Sequence, residues 1–224
     1  MKKSKKLITV LMTAILGSAL FLTGCAGKPA AADVTVKAFY NLYILGDSTD
    51  IEKIALTKEE VAEKFEEVKT LTQSEIKANF AAGGLSISDD QLDAIYNSEM
   101  EALKKLTVTT EIVSEDDEKA TVKLTTTYFD ITAIDIKAAT ETSDEVSAMQ
   151  LTSQSELDNK IVEIYSNKLV EGFKSAEPST ETKEEYFECV KTTYSVNGKN
   201  KDIYTPEDME KFTTDINMMV TNQQ

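Results

Sequence analysis

Apolar side chains recur every three to four positions over the first part of the chain, then at every second position, and this change of period separates helical from extended stretches. Val36, Phe39, Tyr40 and Tyr43 fall on one helical face, with Gly46 placed as a C-cap. Thr57 and Glu60 have the spacing of a capping box ahead of Val61, Phe65 and Val68, and Ile76 and Phe80 carry the helical pattern on to Gly83 and Gly84. Ser88 and Gln91 form a second box before Leu92, Ile95, Tyr96, Met100 and Leu103. The period then becomes two. Leu106, Val108, Thr110 and Ile112, followed by Ala120, Val122, Leu124, Thr126 and Tyr128, flank an acidic turn at Glu115–Glu118 and predict an antiparallel hairpin.

Helical spacing returns between Thr132 and Lys174, most clearly at Leu157, Ile161, Ile164, Tyr165 and Leu169, with Ser153 and Glu156 as another box. Periodicity leaves open whether Thr140, Thr142 and Ser143 divide this stretch in two. Pro178 ends it. Tyr186–Val196 is rich in aromatic and β-branched residues, and Asn197-Gly198 fits a type I′ turn, whose two central residues need positive φ. Ile203 and Tyr204 fall on the return strand. Thr205-Pro206-Glu207-Asp208 predicts the start of a last helix, with Pro at its first position, bearing Met209, Phe212, Ile216 and Met219. A helical opening and two hairpins separated by a helical insertion predict a single α+β domain over residues 34–224 with about four strands.

The N-terminal pattern is of another kind. Lys2, Lys3, Lys5 and Lys6 precede an apolar run from Leu7 to Phe21, too short for the about 20 residues of a membrane span but suited to a signal peptide over residues 1–24. Its end, Leu22-Thr23-Gly24-Cys25, resembles the lipobox of bacterial lipoproteins. That resemblance implies cleavage between Gly24 and Cys25 and a diacylglyceryl thioether on Cys25. Two acyl chains, each buried methylene adding about 0.8 kcal/mol, hold a protein on a membrane where one chain does not. Residues 25–33, small and weakly structured, then read as a lipidated tether. The expected location is the extracytoplasmic face of the cell membrane.

Composition narrows the chemistry. The 24 basic residues are all Lys, and there is no His, Arg or Trp. Nucleophilic systems that need His are excluded, as are His-containing zinc sites and the bidentate Arg clamps of phosphate recognition. Removal of residues 1–24 takes away four Lys and no acid, which leaves 20 Lys against 39 Asp and Glu and a formal charge of −19. Such a surface is repelled by nucleic acid and by anionic lipid, and attracts cations or basic peptides. With Cys25 used by lipid, Cys189 has no intramolecular partner, and its alternating apolar surroundings predict a buried, inert thiol. A mature chain of this size can bury about 70% of its unfolded surface in one core, so no disulfide scaffold is needed.

The lipobox at Cys25, the helical opening, a hairpin ending in Tyr128-Phe129-Asp130-Ile131 with a helix after it, and Val196-Asn197-Gly198-Lys199 near the end resemble a family of Gram-positive lipoproteins known as domain of unknown function 5105. The resemblance covers roughly residues 34–215. It implies a cystatin-like, nuclear-transport-factor-2-like fold, a curved antiparallel sheet wrapping helices into a cone. Such families often place an aromatic residue, usually Trp, after the Gly-Lys of the last turn, and here the position is Asn200. No activity or site residues come with the resemblance.

A cone of this kind can enclose an apolar cavity, and Tyr40, Tyr43, Tyr96 and Tyr128 are candidates to line it, their spacing being equally that of core residues. Asp130 and Asp135 are the acids placed for proton transfer in an Asp/Tyr mechanism, or else for helix capping and exposure. The acidic runs Glu115–Glu118, Asp89-Asp90 and Glu184-Glu185 lack the spacing of an EF-hand loop, and no metal or cofactor is expected. The function expected is that of a non-enzymatic, membrane-anchored binding module for a small hydrophobic ligand or a surface protein partner. A weak hydrolase or isomerase is the alternative.

Overall fold

Helix α1 (Ala32–Tyr40) buries Val36, Phe39 and Tyr40 along one face, as their spacing requires. The computed structural model describes residues 30–54, 56–196 and 199–223. The expected signal peptide, cleavage at Gly24, lipid attachment at Cys25 and the Asn197-Gly198 turn lie outside the described residues. Helix α1 runs into a π-helical turn, Asn41–Leu45, stopped by Gly46 at φ 66°, a left-handed conformation that glycine adopts without a Cβ penalty. The short α2 (Thr49–Ile54) follows, then α3 (Lys58–Ala82) and α4 (Asp89–Leu103).

The two capping boxes form as their sequences dictate. The Thr57 hydroxyl accepts the Glu60 amide at 3.3 Å while the Glu60 carboxylate accepts the Thr57 amide at 2.8 Å. Ser88 and Gln91 make the same reciprocal pair at 3.3 and 3.0 Å. Each box satisfies amides that the first turn of a helix leaves without partners.

Strands β1 (Val108–Glu115), β2 (Lys119–Thr127), β3 (Thr182–Val196) and β4 (Lys199–Pro206) form an antiparallel sheet in the order β1-β2-β3-β4, open at β1 and β4. Helices and an open four-stranded antiparallel sheet make an α+β fold. Between β2 and β3 the chain builds α5 (Ile131–Ser147) and α6 (Gln154–Ser175), and α7 (Met209–Thr221) closes the fold. The stretch that periodicity left undivided is thus two helices. Ser153 caps the second, its hydroxyl accepting the Glu156 amide at 3.2 Å. The pair packs closely at Gly172, where a Cβ would lie 2.7 Å from Ile134 Cγ2.

Alternation along β2 sorts its side chains. Ala120, Val122, Leu124 and Thr126 are buried, and the other face carries a polar ladder in which Lys123 Nζ lies 2.6 Å from Glu111 and Thr121 donates to Glu188 at 3.0 Å. Helices α1 and α7 cover the buried face, with Phe212 edge-on to Phe187 at 4.8 Å between ring centres. Helix α1 touches β1, β2 and β4. Its N-terminal end is tied to both edges: Thr110 of β1 donates to the Asp33 carbonyl at 3.0 Å, and Ala30 pairs with Ile203 of β4. A helix of about 10 Å diameter meets both edges of a four-stranded sheet only if the sheet curls round it.

Three details differ from the pattern-based expectation. Ala30 and Ala32–Asp33, within the expected tether, already take part in the fold. Pro206 does not open α7 but ends β4, opposite Cys189, where an edge strand tolerates proline. The cap of α7 is Asp208, whose carboxylate accepts the Lys211 amide at 2.9 Å. Helix α2 had no signal of its own, because six residues offer only Ile51 and Ile54 to the core.

Candidate functional site

Helix α3 presents Phe65, Thr72, Ile76 and Phe80 at helical spacing toward a cavity of about 340 Å³. Ile95, Tyr96, Glu99 and Met100 of α4 form a second wall. The π-helical turn supplies three consecutive residues, Leu42, Tyr43 and Ile44. Its wider winding, closed by bonds over five residues, brings neighbours round to one side more than an α-helix does. Ile131, Tyr165, Leu169 and Phe173 come from α5 and α6, and Thr213, Asn217 and Met218 from α7. Every described lining residue belongs to a helix, the π-helical turn or a loop, and none to a strand. The cavity therefore lies among the helices rather than in the hollow of the sheet, because α1, α7 and their apolar side chains fill that hollow.

The charged groups among the described lining residues are Glu75, Glu99 and Asp135, and no described Lys joins them. Among the described residues, neither Glu75 nor Glu99 has a hydrogen-bond or ion-pair partner. Glu99 is half-buried, with its side chain on the cavity lining, and burial pushes its carboxyl up to about 7. Burial also raises Glu75 above the usual carboxylate range. Asp135 differs, since it accepts a hydrogen bond from the Tyr165 hydroxyl. Burial first, then the Asp135 carboxylate, holds that phenol well above its ordinary value. Burial likewise pushes Tyr43 up to about 12. Desolvation thus favours the neutral form of each of these groups.

Of the four tyrosines proposed from spacing, Tyr43 and Tyr96 line the cavity. Tyr40 does not. It lies fully buried beneath the sheet, sharing a 2.6 Å hydrogen bond with Thr126, because the α-helical winding ends at Tyr40 and the π-helical turn that follows rotates Tyr43 away from it. Tyr128 lies at the surface, donating to Glu181 at 3.3 Å with Lys183 Nζ 5.3 Å above its ring. Asp130 caps α5, accepting the Ala133 amide at 2.9 Å, while Asp135 stands at the cavity. Cys189 is fully buried on β3, and burial pushes its thiol up to about 12, which leaves it unreactive near neutrality. Asp116, in the acidic turn, accepts the Glu118 and Lys119 amides at 2.9 and 2.7 Å, and these hold its carboxyl below the usual range.

Glu75 and Glu99 were not singled out by pattern. Their signal was present, since Glu99 sits between Ile95, Tyr96 and Met100, and Glu75 between Thr72 and Ile76, each a charge inside an apolar stripe. Among the described residues no group of three His, Cys, Asp or Glu could hold a metal ion. No described helix is long and apolar enough to cross a membrane.

These features define an α+β domain whose open sheet is packed solid and whose helical side holds an apolar, carboxylate-bearing cavity. The crystal structure of the "putative lipoprotein" ycdA from Bacillus subtilis shares this fold, with a TM-score of 0.57 and 20% sequence identity. The match covers 84% of this chain but 56% of that one, so the chain spans little over half the length of its structural neighbour. No family model matches the chain, and no curated protein does.

Proposed function

We propose that the protein is a lipid-anchored binding module of the extracytoplasmic membrane face and that it holds a small, largely apolar molecule among its helices. The observation that carries the binding reading is the cavity. Its volume of about 340 Å³ lies in the range of ligand pockets, about 300–1,000 Å³, and its walls are mainly aliphatic and aromatic with a few convergent polar groups. The anchor reading rests on the Lys-rich start, the apolar run and Leu22-Thr23-Gly24-Cys25, and the neighbouring structure's description as a lipoprotein agrees with it. The cystatin-like arrangement is part of the same proposal, and the contacts of α1 with β1, β2 and β4 are the observation behind it.

Binding is favoured over Asp/Tyr proton transfer by what the two candidate acids already do. Asp130 is spent on capping α5, and Asp135 on the Tyr165 hydroxyl. The full chain, produced in a Gram-positive host and extracted in a mild neutral detergent, tests both halves by native mass spectrometry. A lipid mass that survives denaturation and is lost in Cys25→Ala is the expected sign of the anchor. A small apolar adduct that leaves on denaturation is the expected sign of an occupied cavity. An unlipidated wild-type chain overturns the anchor, and a bare chain that neither retains nor takes up any small apolar molecule overturns the binding role.

A further inference from the structure

We infer that the molecule held in the cavity is an organic monocation with an apolar body, an amine or quaternary ammonium whose charged head lies against Glu99. This rests on the binding role proposed above and specifies its ligand class. The cavity combines two features that an ordinary core does not keep together. Its walls are apolar and aromatic, yet Glu75 and Glu99 face into it without a hydrogen-bond or ion-pair partner among the described residues. Burying an unpaired carboxylate is costly, and proteins normally pair such a group or leave it in water. A neutral apolar occupant would shield Glu99 from any remaining water and increase that cost. An anionic occupant would meet three carboxyl groups, Glu75, Glu99 and Asp135, with no lysine among the described lining residues to offset them.

A cation reverses each of these terms. Its charge neutralises the Glu99 carboxylate, and the aromatic residues Tyr43, Tyr96 and Phe65 of the same lining are of the kind that attracts a cation through the ring quadrupole. Its hydrocarbon body meets the aliphatic walls. The net charge of the chain, −15 overall, draws cations toward the surface before they reach the cavity. The burial that raises Glu99 to about 7 leaves it able to ionise when a cation arrives, because a nearby opposite charge favours the carboxylate. The groups that share this environment are Glu75 on α3, Asp135 with Tyr165 from α5 and α6, Tyr43 on the π-helical turn and Tyr96 on α4 itself. Lys69, which lies 5.9 Å from the Tyr96 ring centre, is absent from the lining and is paired with Asp93 at 3.1 Å.

Calorimetric titration of the full chain in neutral detergent, with a micelle blank, tests this with three probes of similar apolar size. They are benzyltriethylammonium, neutral 4-phenylbutanol and anionic 4-phenylbutyrate. At pH 8 the cation is expected to bind at least about tenfold more tightly than either of the others, the fold-change expected of one desolvated cation–π and ion-pair contact. At pH 5.5 that preference shrinks by roughly tenfold as Glu99 takes up a proton in competition. Glu99→Gln is expected to lose the cation preference and its pH dependence, so that benzyltriethylammonium and 4-phenylbutanol bind it within about threefold of each other, and Glu99→Met replaces it if the Gln variant loses cooperative unfolding. Equal binding of the three probes, preference for 4-phenylbutyrate, or a cation preference that persists in the Glu99 variants overturns the inference and leaves the binding role standing. Failure of all three probes to bind overturns both.

Discussion

Helix α7 meets two differently built halves of the molecule on its two sides. Toward the sheet it buries Phe212, Ile216, Met219 and Val220, and toward the cavity it turns Thr213, Asn217 and Met218. The polar groups of the two halves are treated in opposite ways. Beneath the sheet, the buried Tyr40 hydroxyl is matched by Thr126. Among the helices, a void persists, and two carboxyl groups face it unpaired among the described residues. A sequence selected only for stability would fill the void and remove the charges. The contrast sets a tightly packed sheet half against a helical half that forgoes stability, and it is in the second that the proposed ligand would lie.

The contrast breaks first under truncation. Phe212→Ala, at a fully buried ring edge-on to Phe187, is expected to cost about 3–5 kcal/mol in urea denaturation. Phe65→Ala on the cavity wall removes the same ring from a half-buried position that already faces a void, at a cost of about 1–2 kcal/mol. Similar losses at both positions would mean that the helical half is packed as tightly as the sheet half.

Protonation gives the next largest effect. Glu99 binds its proton more tightly folded than unfolded, so stability falls as pH rises from about 4.5, the unfolded value, to about 7, and levels off above. The loss over that window is about 2–3 kcal/mol. Measured against wild type, Glu99→Gln is expected to remove this decline and to be the more stable protein at pH 8. A variant whose pH profile follows wild type through the window would show that the Glu99 carboxyl is not desolvated.

A smaller effect sharpens the sheet side. Tyr40→Phe removes one partner of the buried Tyr40–Thr126 bond, but Thr126 also donates to the Thr127 carbonyl at 2.9 Å, so it is not left wholly unsatisfied. The expected cost is about 1 kcal/mol in the same denaturation experiment. The smallest effect belongs to a cap remote from both halves: Ser88→Ala should cost about 0.5–1 kcal/mol, by releasing one amide of the first turn of α4.

Much of the fold was legible because it is locally encoded. The boxes at Thr57 and Ser88 set the starts of α3 and α4 with contacts three residues apart, and the alternation from Val108 to Thr126 set the first hairpin and its buried face. Cys189 was legible as a buried thiol from its neighbours on β3. The candidate site was legible only in part. Tyr43 and Tyr96 were named with Tyr40 and Tyr128, and nothing in their spacing separates the two pairs. Tyr40 and Tyr43 are three residues apart on one helical run, and what divides them is the π-helical turn at Asn41, together with the sheet on one side and α3 and α4 on the other.

The sequence by itself determined the order and kind of most elements, the acidic surface, the absence of His and Arg chemistry, and the lipobox pattern ending at Cys25, because each depends on residue identity or on contacts within a few positions. Only the tertiary structure decided that the sheet's hollow is filled by α1 and α7, that the cavity lies instead among the helices, and that Glu99 faces it without a partner among the described residues. Those facts depend on which side chains arrive from distant parts of the chain. Whether a buried carboxyl is paired is a property of all the elements packed around it, and no local pattern records them.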